Sequence, residues 1–321
     1  MRYYDLKIIN AESGEIMRQW SSLYLEGPQE GNFNPNSQNI EIDVTAYNYA
    51  APMGSSNVRI WGISLEDIGQ TGNWNQQILV LQAGMSKGLP LANPSQKGPI
   101  LEGQIFQAIG NWQAAVLTID FMVVYGVTQN PNNLVWQWKK GTNLSDSIKL
   151  ALETAYKPPT NIKVDITQDI VSTQDQQGNY PTLTNFAQSI RTISQKAIKD
   201  ANYLGVQIAL NVNTNTIEVY DGTVANPVKT LEFNDLIGQP TWLNFQTISF
   251  KTVLRHDLSL NTYVKMPPAA FQQTAKSYPA FRNTAILQNN FIINQMRHVG
   301  NFRQPDGNSW VTIFNAIQAP Q

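Results

Sequence analysis

The chain has no cysteine among its 321 residues, which excludes disulfide bonds, thiolate catalysis and cysteine-ligated metal sites. Charged residues make up only 14%, whereas about 25% is usual for a soluble domain. The net charge is −1, and no basic stripe is present that could neutralise phosphates. The composition therefore argues against a nucleic-acid-binding protein.

Long hydrophobic runs are also missing. No run approaches the ~18 apolar residues that a membrane span needs, and the opening MRYYDLKI lacks the apolar core of a signal peptide. We therefore expect a protein without a membrane anchor that is made in the cytoplasm and used without Sec export. A protein released by cell lysis would have the same features.

Amide and aromatic side chains are frequent, in contrast to the charged ones. About one residue in five is Asn or Gln, spread along the whole length, and 10% of the chain is aromatic. Amides form directional hydrogen bonds at interfaces without the desolvation cost of buried charges. Such a composition is typical of a protein that covers much of its surface with other protein.

Residues 1–130 are predicted to be all-β, as a first small barrel or sandwich. Apolar residues alternate along residues 40–46, 58–62, 101–109 and 117–123, with Leu101, Gly103, Ile105, Gln107 and Ile109 sharing one face. Turns rich in Gly and Pro separate these runs. The last run alternates with Thr118 and Asp120, but Val116, Met122 and Val124 are apolar too, which predicts a strand buried on both faces.

In residues 131–235 the spacing of apolar residues changes, which predicts an α/β insert with two helices and a hairpin. One amphipathic stripe runs from Leu144 to Ala155 and is stopped by Pro158-Pro159. A second helix follows Thr182, a residue type suited to cap it. Alternation over 206–212 and 217–219 predicts the hairpin. Residues 172–179 read as a polar loop.

Residues 236–321 are predicted to be β again, as a second barrel closed by a final hairpin. Apolar residues alternate along 248–254, and a turn-and-coil region is expected from Pro267 to about Pro279. Alternation at 291–293 and 311–313 brackets Pro305-Asp306-Gly307, where we expect Asp306 to cap the turn and Gly307 to adopt positive φ. Apolar groups on both faces around Trp310 predict a strand buried on both sides.

A search for catalytic chemistry finds little. His256 is followed by Asp257, but adjacent residues of a regular strand point to opposite faces and cannot orient one another. We expect His256 and His298 to lie in strands and to serve packing or hydrogen bonding. Two histidines also fall short of the usual three-ligand catalytic zinc site.

Sequence motifs for catalysis or nucleotide binding are absent as well. The chain has no GxSxG, GxGxxG or GxxxxGK[ST], and the acidic pair Glu66-Asp67 is best explained as surface charge. We predict no enzyme, and no catalytic, cofactor-binding or metal residues. Seven tryptophans could form a sugar-stacking platform or serve as core and interface anchors: Trp61, Trp74, Trp112, Trp136, Trp138, Trp242 and Trp310.

Several segments resemble the central hub proteins of contractile phage tails. The run LRHDLSL at 254–260, with Tyr263-Val264-Lys265 and Pro267, looks like a strand entering a small barrel of these hubs. The closing GNFRQPDGNSWVTIFNAI is similar to their final hairpin. The two helices followed by VQIALNVNTNTIEVYDG resemble the insert between their two barrels. The pattern VRIWGIS, ILVLQAG, GPILEGQIF, LTIDF looks like their first, tube-like barrel.

This resemblance implies a structural virion protein of the tail baseplate. It implies a homotrimer whose paired barrels form a ring of pseudo-sixfold symmetry, joining the sixfold tail tube to a threefold cell-puncturing spike. Tail tube protein, spike protein and other baseplate subunits are then the partners, and no enzymatic activity is implied. Two alternatives remain: another baseplate ring protein, such as a tube initiator or wedge, and a receptor-binding or carbohydrate-binding β-protein. A third and more remote alternative is a hydrolase.

Overall fold

The structure is a computed structural model that describes residues 1–50, 56–86, 93–126, 133–200, 203–224, 226–267, 287 and 289–319. The first part of the chain is built almost entirely from strands that follow the alternating sequence pattern. They are β1 (Arg2–Ile9), β2 (Ile16–Ser21), β3 (Asn39–Tyr47), β4 (Ser56–Trp61), β5 (Ile78–Met85), β6 (Gly98–Gln113) and β7 (Val116–Tyr125).

One short helix interrupts these strands, so the expectation of strands alone was wrong at this point. Helix α1 (Leu65–Gln70) begins after Ser64, whose hydroxyl accepts a hydrogen bond from the backbone N–H of Asp67, while the Asp67 carboxylate accepts one from the backbone of Ser64. This reciprocal capping satisfies two backbone donors that a six-residue helix could not satisfy internally.

The middle of the chain has the predicted helices and hairpin. Helix α2 spans Leu144–Ala155, within the predicted limits, and α3 spans Leu183–Ala197, with the Thr182 hydroxyl accepting from the backbone N–H of Asn185 at 3.2 Å. The strands of this region are β8 (Leu134–Trp138), β9 (Asn161–Asp165), β10 (Gln176–Tyr180), β11 (Gln207–Asn211) and β12 (Thr216–Tyr220).

The polar segment 172–179 is not a loop throughout. Residues from Gln176 onward form β10, which pairs antiparallel with β8 through Gly178 opposite Trp136. Polar alternation gave no sign of a strand, because its backbone bonds depend on a partner about 40 residues earlier in the chain. The pair carries Trp136 and Trp138 into the local core.

The last part of the chain is β, as predicted. Its strands are β14 (Thr241–Trp242), β15 (Thr247–Val253), β16 (Tyr263–Lys265), β17 (Asn290–Asn301) and β18 (Trp310–Gln318). One further strand, β13 (Val228–Thr230), pairs with β16 although it lies within the region predicted as the insert. The turn-and-coil region expected after Pro267 lies outside the described residues, apart from Pro267 itself.

Strands from the two ends of the chain form one large sheet. Its order is β14-β15-β18-β17-β3-β4-β7-β6-β5-β1-β2, and β16 and β13 branch from β17. The link is the antiparallel pair β3–β17, in which Val44 faces His298. The mainly β class is confirmed. Within the described residues, however, the path is open from β14 to β2, so the strands do not close into two barrels.

Two hydrophobic cores result. One lies against the large sheet and draws on both ends of the chain, including Tyr4, Phe121, Phe291 and Phe314. The other belongs to the middle region and packs α2 and α3 around Trp136. A continuous core across the β3–β17 junction means that the first and last strand sets are held together by apolar burial as well as by backbone bonds.

The final hairpin is confirmed, with one correction at its turn. Asp306 caps the turn: its carboxylate accepts from the backbone N–H of Asn308 at 2.8 Å and from the Ser309 hydroxyl at 2.6 Å. Gly307 does not adopt the positive φ that we expected. The capping carboxylate holds the turn without a left-handed residue. Both faces of β18 are buried around Trp310, Val311 and Phe314, as predicted.

Candidate assembly surface

Strand β6, 16 residues long, forms a hairpin with β7 that is interrupted by a bulge. Ile105 pairs with Val123 and Gln107 pairs with Met122, which leaves Phe106 as the extra residue. A bulge shifts the phase of side chains along its strand by one position. Phe106 is accordingly 71% exposed.

The bulge corrects the face assignment made from the sequence. Leu101, Gly103 and Ile105 point into the core as predicted, but Ala108 is the next buried residue, and Ile109 is 39% exposed. Simple alternation places Ile109 inside, because a sequence pattern cannot show that two residues of β6 oppose one residue of β7.

The second face of β7 is apolar and exposed in the single chain along its last residues, beyond Asp120. Ile119, Phe121 and Val123 are buried, whereas Met122 and Val124 are 36% and 47% exposed. Together with the exposed side chains of β6 they form what we call the outer strip: Phe106, Ile109, Met122 and Val124. The prediction that β7 is buried on both faces is therefore wrong for the single chain, in which Val116 is 46% exposed as well.

Next to the outer strip the same face of the sheet is charged. Arg59 on β4 pairs with Asp120 on β7, and Asp120 also accepts from the Asn111 side chain at 2.9 Å. The hydrogen bond to Asp120 raises the pKa of Arg59. Further along, Arg297 binds both carboxylate oxygens of Asp43 at 2.7 Å. These pairs are about half exposed, so each contributes at most about 1 kcal/mol to the free energy of unfolding. They make the part of this face beside the outer strip polar.

A buried arginine ties the last strand set together. Arg255 is 3% exposed and binds Asp257 at 2.6 and 2.8 Å and Asp235 at 2.9 Å, while Lys229 also pairs with Asp257. Burial alone would lower the pKa of Arg255, but the hydrogen bonds and charges of the two aspartates outweigh it and raise the pKa. A charge enclosed in this way is structural, because losing Asp257 would remove two of the three hydrogen bonds that the buried guanidinium makes to carboxylates.

The two histidines have structural contacts. His256 lies in the irregular segment between β15 and β16, so its expected place in a strand was wrong; its ring contacts the Asn213 side-chain oxygen at 2.9 Å and the carbonyl of Ser95 at 3.2 Å. His256 and Asp257 thus bind different partners. His298 lies in β17 as expected, with Nδ1 2.9 Å from the Thr312 hydroxyl.

The tryptophans do not form a single platform. Trp74, Trp136, Trp138 and Trp310 are at most 3% exposed and belong to the two cores. Trp112 is 66% exposed at the β6–β7 tip, and Trp242 is 39% exposed on β14. The exposed rings therefore belong to strand sets that lie at different places in the sheet order.

The acidic pair in α1 also has a structural explanation. Asp67 is 5% exposed, caps its own helix and pairs with Arg18 at 2.9 Å, while Glu66 faces solvent. In the part of the chain that the structure describes, no group of three or more His, Asp or Glu is arranged to hold a metal ion. Over the same residues, none of the helices has the length and apolar character to cross a bilayer.

Two solved structures of tail proteins have a fold similar to that of this chain. The 43 kDa tail protein of prophage MuSo2 from Shewanella oneidensis aligns with a TM-score of 0.53 and 8% identity, over 99% of this chain and 98% of that one. The tail protein from Neisseria meningitidis MC58 aligns with a TM-score of 0.50 and 8% identity, over 99% and 96%. The chain has the fold of these two tail proteins.

This similarity concerns the fold alone, since the sequences are only 8% identical. A scan of protein-family models finds no match, and a search of curated proteins finds none. The tail-protein architecture expected from the sequence is thus confirmed at the level of the fold, over nearly the whole chain.

Proposed function

We propose that the chain is a structural component of a bacteriophage tail and forms its central baseplate hub. Three copies form a ring of pseudo-sixfold symmetry that joins the tail tube to the cell-puncturing spike, with other baseplate subunits around it. The observation that carries this proposal is the fold shared with the MuSo2 tail protein over almost the full length of both chains.

The arrangement of strands supports the ring. Two antiparallel strand sets lie edge to edge in each chain, β14-β15-β18-β17 on one side of the β3–β17 junction and β3-β4-β7-β6-β5-β1-β2 on the other. Three chains therefore contribute six such units. In this proposal residues 1–130 and 236–321 build the ring, and the insert, residues 131–235, lies at its periphery.

The outer strip supports self-association. Four adjacent apolar side chains on one sheet face, beside a charged half, combine the apolar centre and polar rim of protein interfaces. Covering them with a second copy would bury the exposed apolar part of the second face of β7. In this role the protein needs no catalysis and no cofactor, and it resides in the virion after synthesis in the host cytoplasm.

Copy number separates this proposal from its nearest alternative. A hub contains three subunits, whereas a tube initiator has six, so native mass spectrometry of the purified chain tests the assignment. We expect an assembly of three times the 35.9 kDa subunit mass. Six subunits would favour a tube-initiating ring, and a monomer at high concentration would contradict both. The two exposed tryptophans, separated in the sheet, give a carbohydrate-binding role no shared platform.

A further inference from the structure

The turn between β14 and β15 carries a second exposed apolar surface, in the last strand set. Trp242, Leu243 and Phe245 are 39%, 56% and 83% exposed within four residues of chain. We call these three side chains the turn patch. Single exposed apolar residues need no explanation, whereas a cluster of large ones on one turn is typical of an interaction site.

Hydrogen bonds hold the turn patch in one conformation. The Asn244 side-chain oxygen accepts from the backbone N–H groups of Gln246 and Thr247, both at 2.9 Å. The backbone N–H of Leu243 donates to the carbonyl of Thr247 at 2.9 Å. The Gln246 carbonyl accepts from the N–H of Gln318, at the end of β18, at 2.8 Å. A surface fixed in this way loses little conformational entropy when a partner binds.

The turn patch and the outer strip lie at the two ends of an eight-strand path through the sheet, β14-β15-β18-β17-β3-β4-β7-β6. Because neighbouring strands are about 4.8 Å apart, the ends are separated by roughly 30 Å along the sheet. Each end also has a free strand edge. Among the described strands, β14 pairs with β15 alone, and β5 pairs with β6 only as far as Gln104. Free strand edges are normally covered in native proteins.

Both surfaces lie in segments without charge. No Asp, Glu, Lys or Arg occurs in residues 103–119, which contain the β6 half of the outer strip, or in residues 236–250, which contain the turn patch. The centres of protein interfaces are depleted in charged residues in the same way. Contact between the two surfaces would therefore bury apolar area without leaving a charge unpaired.

The symmetry of a three-membered ring determines how such surfaces pair. The ring is closed by head-to-tail contacts, in which one surface of a subunit meets a different surface of its neighbour. The outer strip therefore needs a partner surface other than itself. The turn patch is apolar, uncharged and at the opposite end of the strand path. We propose that the turn patch of each subunit packs against the outer strip of the next, an inference that rests on the proposed ring.

The absence of cysteine allows a direct test of this contact in the full chain. Phe106→Cys places a thiol in the outer strip and Leu243→Cys places one in the turn patch. The two are made separately and together, and the assembled protein is treated with a short bismaleimide. Phe106→Cys combined with Val135→Cys is the control, since Val135 is 56% exposed but lies on β8 of the insert.

We expect covalent dimers and trimers on a denaturing gel from the variant with cysteines at positions 106 and 243. Neither single variant and not the control should be linked. Linkage of Phe106→Cys alone would show that the outer strip packs against itself and would overturn the proposal. Equal linkage in the control, or none in the 106/243 variant, would overturn it too.

Mixing two charged variants gives an independent measurement. Val124→Asp damages the outer strip and Leu243→Asp damages the turn patch, so each alone should be monomeric in native mass spectrometry, with its fold checked by circular dichroism. A mixture of the two retains one intact contact and should form dimers, but no closed ring. Normal assembly of Leu243→Asp alone would mean that the turn patch does not face a second copy.

These results also separate the contact from the proposed function. A native trimer without linkage between positions 106 and 243 would overturn the contact and leave the hub assignment intact. A hexamer with that linkage would overturn the copy number and leave the contact intact. A parent chain that stays monomeric would overturn both.

Discussion

Trp310 donates its indole N–H to the carbonyl oxygen of Gly84 at 2.9 Å, across 226 positions of sequence. The bond joins the final hairpin to the end of β5, so the first and last strand sets are fastened at a second place besides the β3–β17 pair. Trp310 is 3% exposed and also contacts Phe302 edge-on. Its ring therefore serves as the fastening point between the two ends of the chain.

Replacing Trp310 with Phe should destabilise the fold by about 1–3 kcal/mol, because the buried bond to Gly84 is lost and the smaller ring leaves a void. Trp112→Phe is the matched control: its indole N–H also donates to a backbone carbonyl, that of Ala114, but its side chain is 66% exposed and water can replace the bond. Urea unfolding of the two variants measures the difference. Equal losses of stability would contradict a fastening role for Trp310.

Two glycines of the final hairpin should respond in opposite ways to alanine. A Cβ on Gly300 would lie 2.4 Å from the Trp310 ring and 3.1 Å from the Ser309 carbonyl, whereas a Cβ on Gly307 would meet nothing within 4 Å. We expect Gly300→Ala to cost about 1–3 kcal/mol through overpacking and Gly307→Ala to be nearly neutral. Thermal unfolding of both variants tests this. A large loss in Gly307→Ala would restore the view that this turn needs a special glycine conformation.

Acid sensitivity should originate in part from His298. Burial, with a smaller effect of the His256 charge, lowers the pKa of His298 to about 3. In the unfolded chain the same imidazole takes up a proton near pH ~6.5. Between these values the unfolded state binds more protons, so the free energy of unfolding falls as pH drops from about 6.5 toward about 3 and is unaffected above.

The variant His298→Gln should flatten this dependence. Urea unfolding at several values between about pH 7 and pH 4 would show a shallower decline than in the parent chain. Some slope should remain, because burial lowers the pKa of His256 as well. An identical slope in parent and variant would show that burial does not keep His298 neutral in the folded state.

The outer strip makes a prediction about assembly. Val124→Asp places a charge among the exposed apolar side chains of β6 and β7, and it should abolish or strongly weaken self-association without unfolding the chain. Val135→Asp is the matched control, since Val135 is 56% exposed on β8 of the insert. Native mass spectrometry reports the copy number and circular dichroism the fold. If Val135→Asp dissociates the assembly and Val124→Asp does not, the insert rather than the outer strip makes the ring contacts.

The sequence by itself determined the local elements, because their causes lie within a few residues. The 3.6-residue stripe of α2, the hydroxyl cap at Thr182, the hairpin after Val206 and the Asp306 turn all follow from nearby side chains, and the structure has each of them. The tail-protein architecture rests on a resemblance of several segments to phage tail hub proteins, and not on these local patterns alone.

Only the tertiary structure decided how the elements meet. The bulge at Phe106, the polar strand β10, the β3–β17 junction and the pairing of Arg255 with Asp235 arise from partners outside the local sequence pattern. Strand pairing depends on the partner strand, and a buried charge depends on the side chain that pairs with it. A local sequence pattern does not identify either partner. The sequence also predicts that β7 is buried on both faces, whereas the structure leaves Met122 and Val124 exposed on one face of the single chain.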